Sequence, residues 1–229
     1  MAATKRDLFL RNITILLGLA GMAIGCGPSS LAYLFMPFVD DRVQPKCKLA
    51  NADKEIKVVI ASRFQSLEFR PDVQPAEQEL ASALEMELRK RFKINNEKVK
   101  VEMPQRVRPY LSKMKEWNAT SLIHVGEQFK ADYVIELNIQ NLSLMMPNSY
   151  NSLYQGRADL EVTVYDVHKP ALEAVILKQP FRSEYPTSRP IDSSGSSPDQ
   201  FRALFNSRMA RDLARWFTAY PSDEKFDIE

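Results

Sequence analysis

Glycine is scarce in this chain, with seven in 229 residues. Phosphate cradles and dinucleotide turns need glycines at set spacings, and no P-loop, dinucleotide fingerprint or Gly-x-Ser-x-Gly elbow occurs. Histidine is scarcer, with only His124 and His168. A zinc centre needs more ligands than that, so neither a metal nor a cofactor is expected. Two cysteines, Cys26 and Cys47, do not make a disulfide framework. A charge excess is missing too: 31 basic residues face 29 acidic ones. With no basic and aromatic stacking platform either, nucleic acid is not an expected partner. The carboxylate pairs, Asp40 with Asp41 and Asp159 with Glu161, fall in a polar stretch and on the polar face of a strand. Neither points to a two-carboxylate hydrolase.

What is present begins at the N-terminus. Lys5, Arg6 and Arg11 precede an apolar run that closes on Ala23-Ile24-Gly25-Cys26. A basic start, an apolar stretch and small residues before a cut are how an export signal is built. A cysteine directly after the small residue resembles a bacterial lipoprotein signal, with Ala23 where leucine is usual. That resemblance implies that Cys26 carries lipid and becomes the mature N-terminus; a thiolate is the soft nucleophile such a step needs. Two other readings stay open on the residues alone. Cys26 is a small apolar residue in an uncleaved helix, or Ile13 to Met36 is a single-pass anchor. Against the anchor, Ile13 to Gly25 gives 13 residues where a span needs about 20. Pro28 would also fall in its middle.

Cleavage would leave a neutral chain. Removing three cations and one anion from 31 and 29 gives 28 of each. Cys47 would be left alone, and a Cys26–Cys47 bridge is open only if Cys26 is not lipidated. The organisation expected is a signal peptide over 1–25, a membrane-proximal linker over 26–54, an α/β domain over 55–220 and a polar tail over 221–229.

Within the domain, Lys57-Val58-Val59-Ile60-Ala61 is apolar on both faces, as in a central strand covered from both sides. Pro75 opens a helix whose inward stripe is Leu80, Leu84, Leu88 and Phe92. Lys98 to Glu102 alternates as a strand. Pro104 starts a second helix with Val107, Leu111 and Met114 inward, and a short third one runs from about Ser121 to Phe129. Tyr133, Ile135, Leu137 and Ile139 then share one face of a strand and Glu136, Asn138 and Gln140 the other. The phase flips at Leu142 and Leu144, which predicts a bulge near Asn141. A hairpin loop follows from Met146 to Gly156, with a return strand carrying Ala158, Leu160, Val162 and Val164 inward. A further strand spans about Leu172 to Tyr185. Ser197-Pro198-Asp199-Gln200 is a capping box for a last helix with Phe201, Leu204, Phe205, Met209, Leu213, Trp216 and Phe217 inward. The fold class expected is α/β: a mixed sheet with a parallel βαβ start and an antiparallel C-terminal meander, helices packed on the sheet.

Ala131-Asp132-Tyr133-Val134-Ile135, Tyr154-Gln155-Gly156-Arg157-Ala158 and Val164-Tyr165-Asp166-Val167 carry a resemblance. They look like the small bacterial lipoproteins whose α/β domain is similar to that of the curli-secretion lipoprotein. The penicillin-binding-protein activator lipoprotein and the N-terminal domain of the Tol–Pal translocation protein share that general architecture. Lys130 stands where the common pattern has glycine. The resemblance implies a non-enzymatic binding, assembly or scaffolding module on the periplasmic side of a bacterial membrane. The membrane is reached through lipid on Cys26, and the partner is another envelope protein. Met145, Met146, Tyr150 and Tyr154 are the candidate partner-binding residues, since methionine and tyrosine suit adaptable surfaces; equally open is that they fold back over the sheet edge as a lid. An extracytoplasmic enzyme is the rival reading, and it requires a polar pocket with a perturbed titratable group.

Overall fold

In the computed structural model, residues 41–65, 73, 75–150, 152–195 and 197–226 are described. The elements in chain order are β1 (Arg42–Val43), β2 (Ile56–Phe64), α1 (Ala76–Ile94), β3 (Val99–Val101), α2 (Pro104–Leu111), α3 (Ala119–Gln128), β4 (Tyr133–Met145), β5 (Leu153–Asp166), β6 (Val175–Tyr185), β7 (Ile191–Asp192), α4 (Pro198–Ala214) and β8 (Tyr220–Pro221). The main sheet runs β3-β2-β4-β5-β6, with β7 added to β5. β2 pairs parallel with β3 and β4, whereas β4, β5 and β6 form an antiparallel meander. The fold is the mixed α/β sheet expected.

Alternation along β2 explains its place at the centre. Val58 and Ile60 enter the core under α1 and α4, while Val59 and Ala61 enter a second core under α2 and α3. Each of these four side chains has somewhere apolar to go, so the wholly apolar stretch from Val58 to Ala61 is stable there. The stripe Leu80, Leu84, Leu88 and Phe92 is buried to 1% exposure or less. Pro75 sits at the N-cap of α1 rather than in its first turn. The capping box of α4 forms both ways, Gln200 N–H donating to Ser197 Oγ and Ser197 N–H to Gln200 Oε1. The register of β4 on β5 shifts between Ile139 and Asn141. That bulge turns Leu142 and Leu144 back into the core.

Three details differ from expectation. Leu204 is half exposed, because the inward stripe of α4 recurs every four residues as Phe201, Phe205, Met209 and Leu213 and leaves Leu204 beside it. Residues 42–54, expected as linker, pack on the body. Leu49 is buried, Cys47 N–H donates to the Trp216 carbonyl at 2.8 Å, and β1 pairs with β8. Beyond residue 220, Pro221 belongs to that ribbon and Glu224 bonds Arg91 at 2.8 Å.

The register fixes two opposite ends. Val58 lies beside Tyr133, Tyr133 beside Asp166 and Tyr165 beside Val175, so the 167–174 turn is at the end where β2 and β4 begin. α1 runs back to that same end. There its C-cap Asn95 accepts from Arg42 and donates to the Ala219 carbonyl. The chain therefore joins the described body at this end, and the β4–β5 hairpin closes the opposite one.

Candidate functional site

Of the residues singled out above, Cys26 lies outside the described ones. The hairpin residues separate into two groups. Tyr150 is fully exposed at the tip, Met146 is 36% exposed and Met145 is half-buried at the end of β4. Tyr154 does not belong with them. It is 1% exposed and stacks on Phe201 with ring centroids 4.7 Å apart. The strand β5 begins at Leu153, earlier than the turn-forming residues suggested, and Tyr154 shares the inward phase of Ala158 and Leu160. Placing Tyr154 in the loop as a contact residue is thus corrected: its ring fills the core between sheet and α4.

The tip is tightly built. Met146 N–H donates to the Leu153 carbonyl at 3.0 Å, Ser149 Oγ to the Met146 carbonyl at 2.7 Å and Ser152 Oγ to the Ser149 carbonyl at 2.6 Å. Asn148 and Tyr150 both take positive φ, at 62° and 50°. Asparagine tolerates that region well and tyrosine poorly, so the loop holds Tyr150 outward at some backbone cost.

A second feature had only a partial signal in the sequence. A cavity of about 980 Å³ opens between the C-terminal part of β2, the start of α1 and α2. Arg63, Glu77, Arg108, Met114 and Trp117 are among its lining residues. Arg63 sits over the Trp117 ring, 5.1 Å from its centroid, and reaches Glu136 at 3.4 Å. The other Glu136 oxygen accepts from the Tyr165 hydroxyl at 2.8 Å. Burial first, and the Glu136 charge with it, push that hydroxyl above the ordinary tyrosine range. Burial likewise raises the Glu77 carboxyl against the pull of Arg108. Arg63 Nε and Asn138 Oδ1 are buried without a hydrogen-bond partner. That Glu136 and Asn138 share a strand face was legible; the closure of the cluster by Arg63 and Tyr165 depends on strand register.

Chemically, the cavity offers a cation on an aromatic face with polar rims. Its serines are committed elsewhere: Ser62 Oγ donates to the Glu77 carbonyl, Ser112 Oγ to the Pro109 carbonyl, and Ser82 Oγ accepts from Gln105. No histidine or cysteine is among the described lining residues. The cavity and the raised Glu77 carboxyl are the polar pocket with a perturbed titratable group that the enzyme reading asks for. The serine bonds above go to carbonyls and an amide, and none of them to a base such as nucleophilic catalysis needs.

Asp132, from the Ala131-Asp132-Tyr133 signature, has a structural place. It accepts from Lys54 Nζ at 2.7 Å and from the Lys57 N–H at 2.8 Å, and it lies 3.0 Å from His168 Nε2. Burial would raise its carboxyl, but the bonds from Lys54, His168 and the Lys57 amide outweigh that and hold it at about 2. Lys130 takes the left-handed conformation itself, φ 52°, where the related pattern uses glycine.

Comparison with known proteins gives one family. The family model LptE, described as lipopolysaccharide-assembly, matches residues 64–218. No curated protein matches the chain. Similar solved structures include the PelC dodecamer from Paraburkholderia phytofirmans, at 10% identity and a TM-score of 0.39 over 75% of this chain and 92% of that one. A hypothetical protein from Chlamydia trachomatis shares 13% identity at a TM-score of 0.42, over 70% of this chain and 94% of that one. The LpoB C-terminal domain from Escherichia coli shares 10% at 0.31, over 56% and 82%. These likenesses are distant and carry nothing about function.

Proposed function

The chain belongs to the LptE family of lipopolysaccharide assembly, and from that premise we propose that it is a non-enzymatic assembly module of the bacterial envelope. It is held at the membrane by lipid on Cys26, on the periplasmic side, and it presents the β4–β5 hairpin with Tyr150, Met146 and Met145 to another envelope protein. The observation that carries this reading is the extent of the family match. Residues 64–218 run from the last residue of β2 past α4, so the match takes in β3 to β7 and all four helices but not the central strand β2. The serine hydroxyls bonded to groups that are not bases, with no histidine or cysteine among the described cavity residues, support a binding role over a catalytic one.

The test is depletion of the protein in its own bacterium, with lipopolysaccharide at the cell surface as the readout. Surface lipopolysaccharide should fall on depletion and return with the wild-type gene. Cys26→Ala should restore it less well, and intact mass of the wild type should show an acylated chain starting at residue 26. Unchanged surface lipopolysaccharide on depletion would overturn the assembly role. A mature chain beginning at Met1 or Ala2 would overturn the lipid anchor.

A further inference from the structure

Strand β2 carries a partner on both edges only over its first part. Ile56 N–H donates to the Lys98 carbonyl and the Val58 carbonyl accepts from Glu102 N–H, both at 2.8 Å. Gln65 N–H donates to the Ile139 carbonyl at 2.8 Å. Successive residues of a strand turn their backbone groups to opposite edges, so Ile60, Ser62 and Phe64 face the β3 side. Pairing with β4 continues to Phe64, but pairing with β3 stops at Val58. The next amide on that side would come from Pro104, which has no N–H and opens α2. Among the described residues no strand lies beside Ile60, Ser62 and Phe64 there. No backbone bond from a described residue meets the Ile60 or Ser62 amide on that side, whereas Phe64 N–H is met by the Glu77 carboxylate.

This edge is the floor of the cavity of about 980 Å³, whose lining includes Ile60, Ser62 and Phe64. Ile60 points into the core under α1 and Ala61 into the core under α2, so the edge runs between the two helices. Two exposed bonds tie those helices together: Gln105 Nε2 donates to Ser82 Oγ at 3.1 Å and Arg108 Nη1 to Gln78 Oε1 at 2.8 Å. From Ile60 to Phe64 the edge measures about 13 Å, the length of four or five residues of strand. The volume is at the top of the range for ligand pockets, about 300–1,000 Å³. An unpaired strand edge is a template for another strand. In such pairing the main chain gives affinity and the side chains of alternate residues give selectivity.

Arg63 supplies the selectivity. It shares the α2 side of β2 with Val59 and Ala61 by the two-residue period and lies over Trp117. Its Nη2 reaches Glu136 at 3.4 Å, but its Nε is buried without a hydrogen-bond partner. A side chain on the same face of an added strand stands directly beside it. The acids in the lining are committed: Glu77 to Phe64 N–H, and Glu79 to Arg202 and Asn206. We infer that β2 takes up an extended peptide segment of another protein as an added strand beside Ile60, Ser62 and Phe64, with an acidic residue of that segment on Arg63. This contact rests neither on lipid at Cys26 nor on the hairpin.

The experiment uses the full-length chain, isotope-labelled and held in lipid nanodiscs, with heptapeptides selected against it from a random display library. In the free protein the Ile60 and Ser62 amides should exchange with solvent faster than those of Val59 and Ala61, which pair with β4. Selected peptides should carry an acidic residue, slow the Ile60 and Ser62 amides and leave Tyr150 unshifted. Replacing that acid by its amide, N-methylating the peptide on its paired edge, and Arg63→Gln should each weaken binding about tenfold. The acid-to-amide change and Arg63→Gln should not add, since they remove one contact. The two peptide changes test the contact even where Arg63→Gln disturbs Glu136. Equal exchange at all four amides, or a library that yields no binder, overturns the inference. Binding that shifts Tyr150 and spares Ile60 and Ser62 also overturns it and leaves the hairpin reading standing. Protection that grows with protein concentration and needs no peptide makes a second copy the occupant, and overturns it as well.

Discussion

Arg202 in α4 forks onto Glu79 in α1, its Nε donating to Oε2 at 2.9 Å and its Nη2 to Oε1 at 2.8 Å. Asn206, one turn further along α4, donates to the same carboxylate at 2.9 Å. The Arg202 side chain is 8% exposed and that of Glu79 33%. The pair therefore pins the first turn of α1 to α4 over the main core, with the anion placed where the α1 dipole favours it. Removing one member of a fully buried pair costs about 3–5 kcal/mol, because the other charge is left stranded. Glu79 is partly solvated and Asp199 remains at 2.9 Å from Arg202, so Glu79→Ala should cost less, about 2 kcal/mol. Urea unfolding measures it. No change in midpoint would mean that the two helices are held by apolar packing alone.

Asp132 makes stability depend on pH in a stated direction. Its carboxyl lies at about 2 in the folded chain against 3.8 ordinarily. A depressed carboxylate stabilises the fold above the ordinary value and loses that contribution as pH falls from about 4 through 2. Its partners Lys54 and His168 are more than half exposed, so solvent screening leaves a contribution at neutral pH of about 1 kcal/mol. Asp132→Asn should therefore be less stable than wild type at pH 7 and approach it near pH 2. Unfolding curves at pH 7, 4 and 2.5 decide this; a gap that stays constant with pH would show the loss to be steric.

The two hairpin tyrosines should behave oppositely. Tyr154→Ser empties a core site stacked on Phe201, and truncations of large aromatics cost about 3–5 kcal/mol. Tyr150→Ser alters a fully exposed side chain and should stay within about 0.5 kcal/mol of wild type. Under the proposed role, Tyr150→Ser also weakens capture of the envelope partner found by cross-linking in intact cells. A stable Tyr154→Ser protein would contradict the packing. Full capture by Tyr150→Ser would put the contact elsewhere.

How much of this could be read from residues alone follows from which signals are local. The four-residue recurrence of Leu80, Leu84, Leu88 and Phe92 is a local signal, and so is the phase flip between Ile139 and Leu142; both were legible. Tyr154 went astray because Asn148, Ser149, Asn151 and Ser152 suggested a longer loop. Running the alternation back from Ala158 through Gly156 would have placed it inward. Leu49 is one apolar residue in a polar stretch, and no periodicity could mark it as core. The Arg63, Glu136 and Tyr165 cluster joins three strands, so it exists only once their register is set. Lys130 at positive φ runs against its own propensity, and the bonds around Asp132 hold the turn in its place.

Gly156 offers a test of the packing between sheet and helix that does not depend on any functional reading. A Cβ built there would lie 2.7 Å from the Phe205 ring, so the bare backbone of β5 is what lets α4 sit close. Its role is space and not conformation, since no glycine with positive φ occurs among the described residues. Gly156→Ala should cost about 1–3 kcal/mol, the range for overpacking a core. Phe205→Leu alone should also destabilise, by loss of buried ring area. Combined, the two changes relieve each other, and the double variant should be more stable than the sum of the single losses predicts. Contacting residues show such coupling, at about 0.5–3 kcal/mol, whereas distant ones add. Additive losses in the double-variant cycle would mean that α4 does not rest on Gly156 as described.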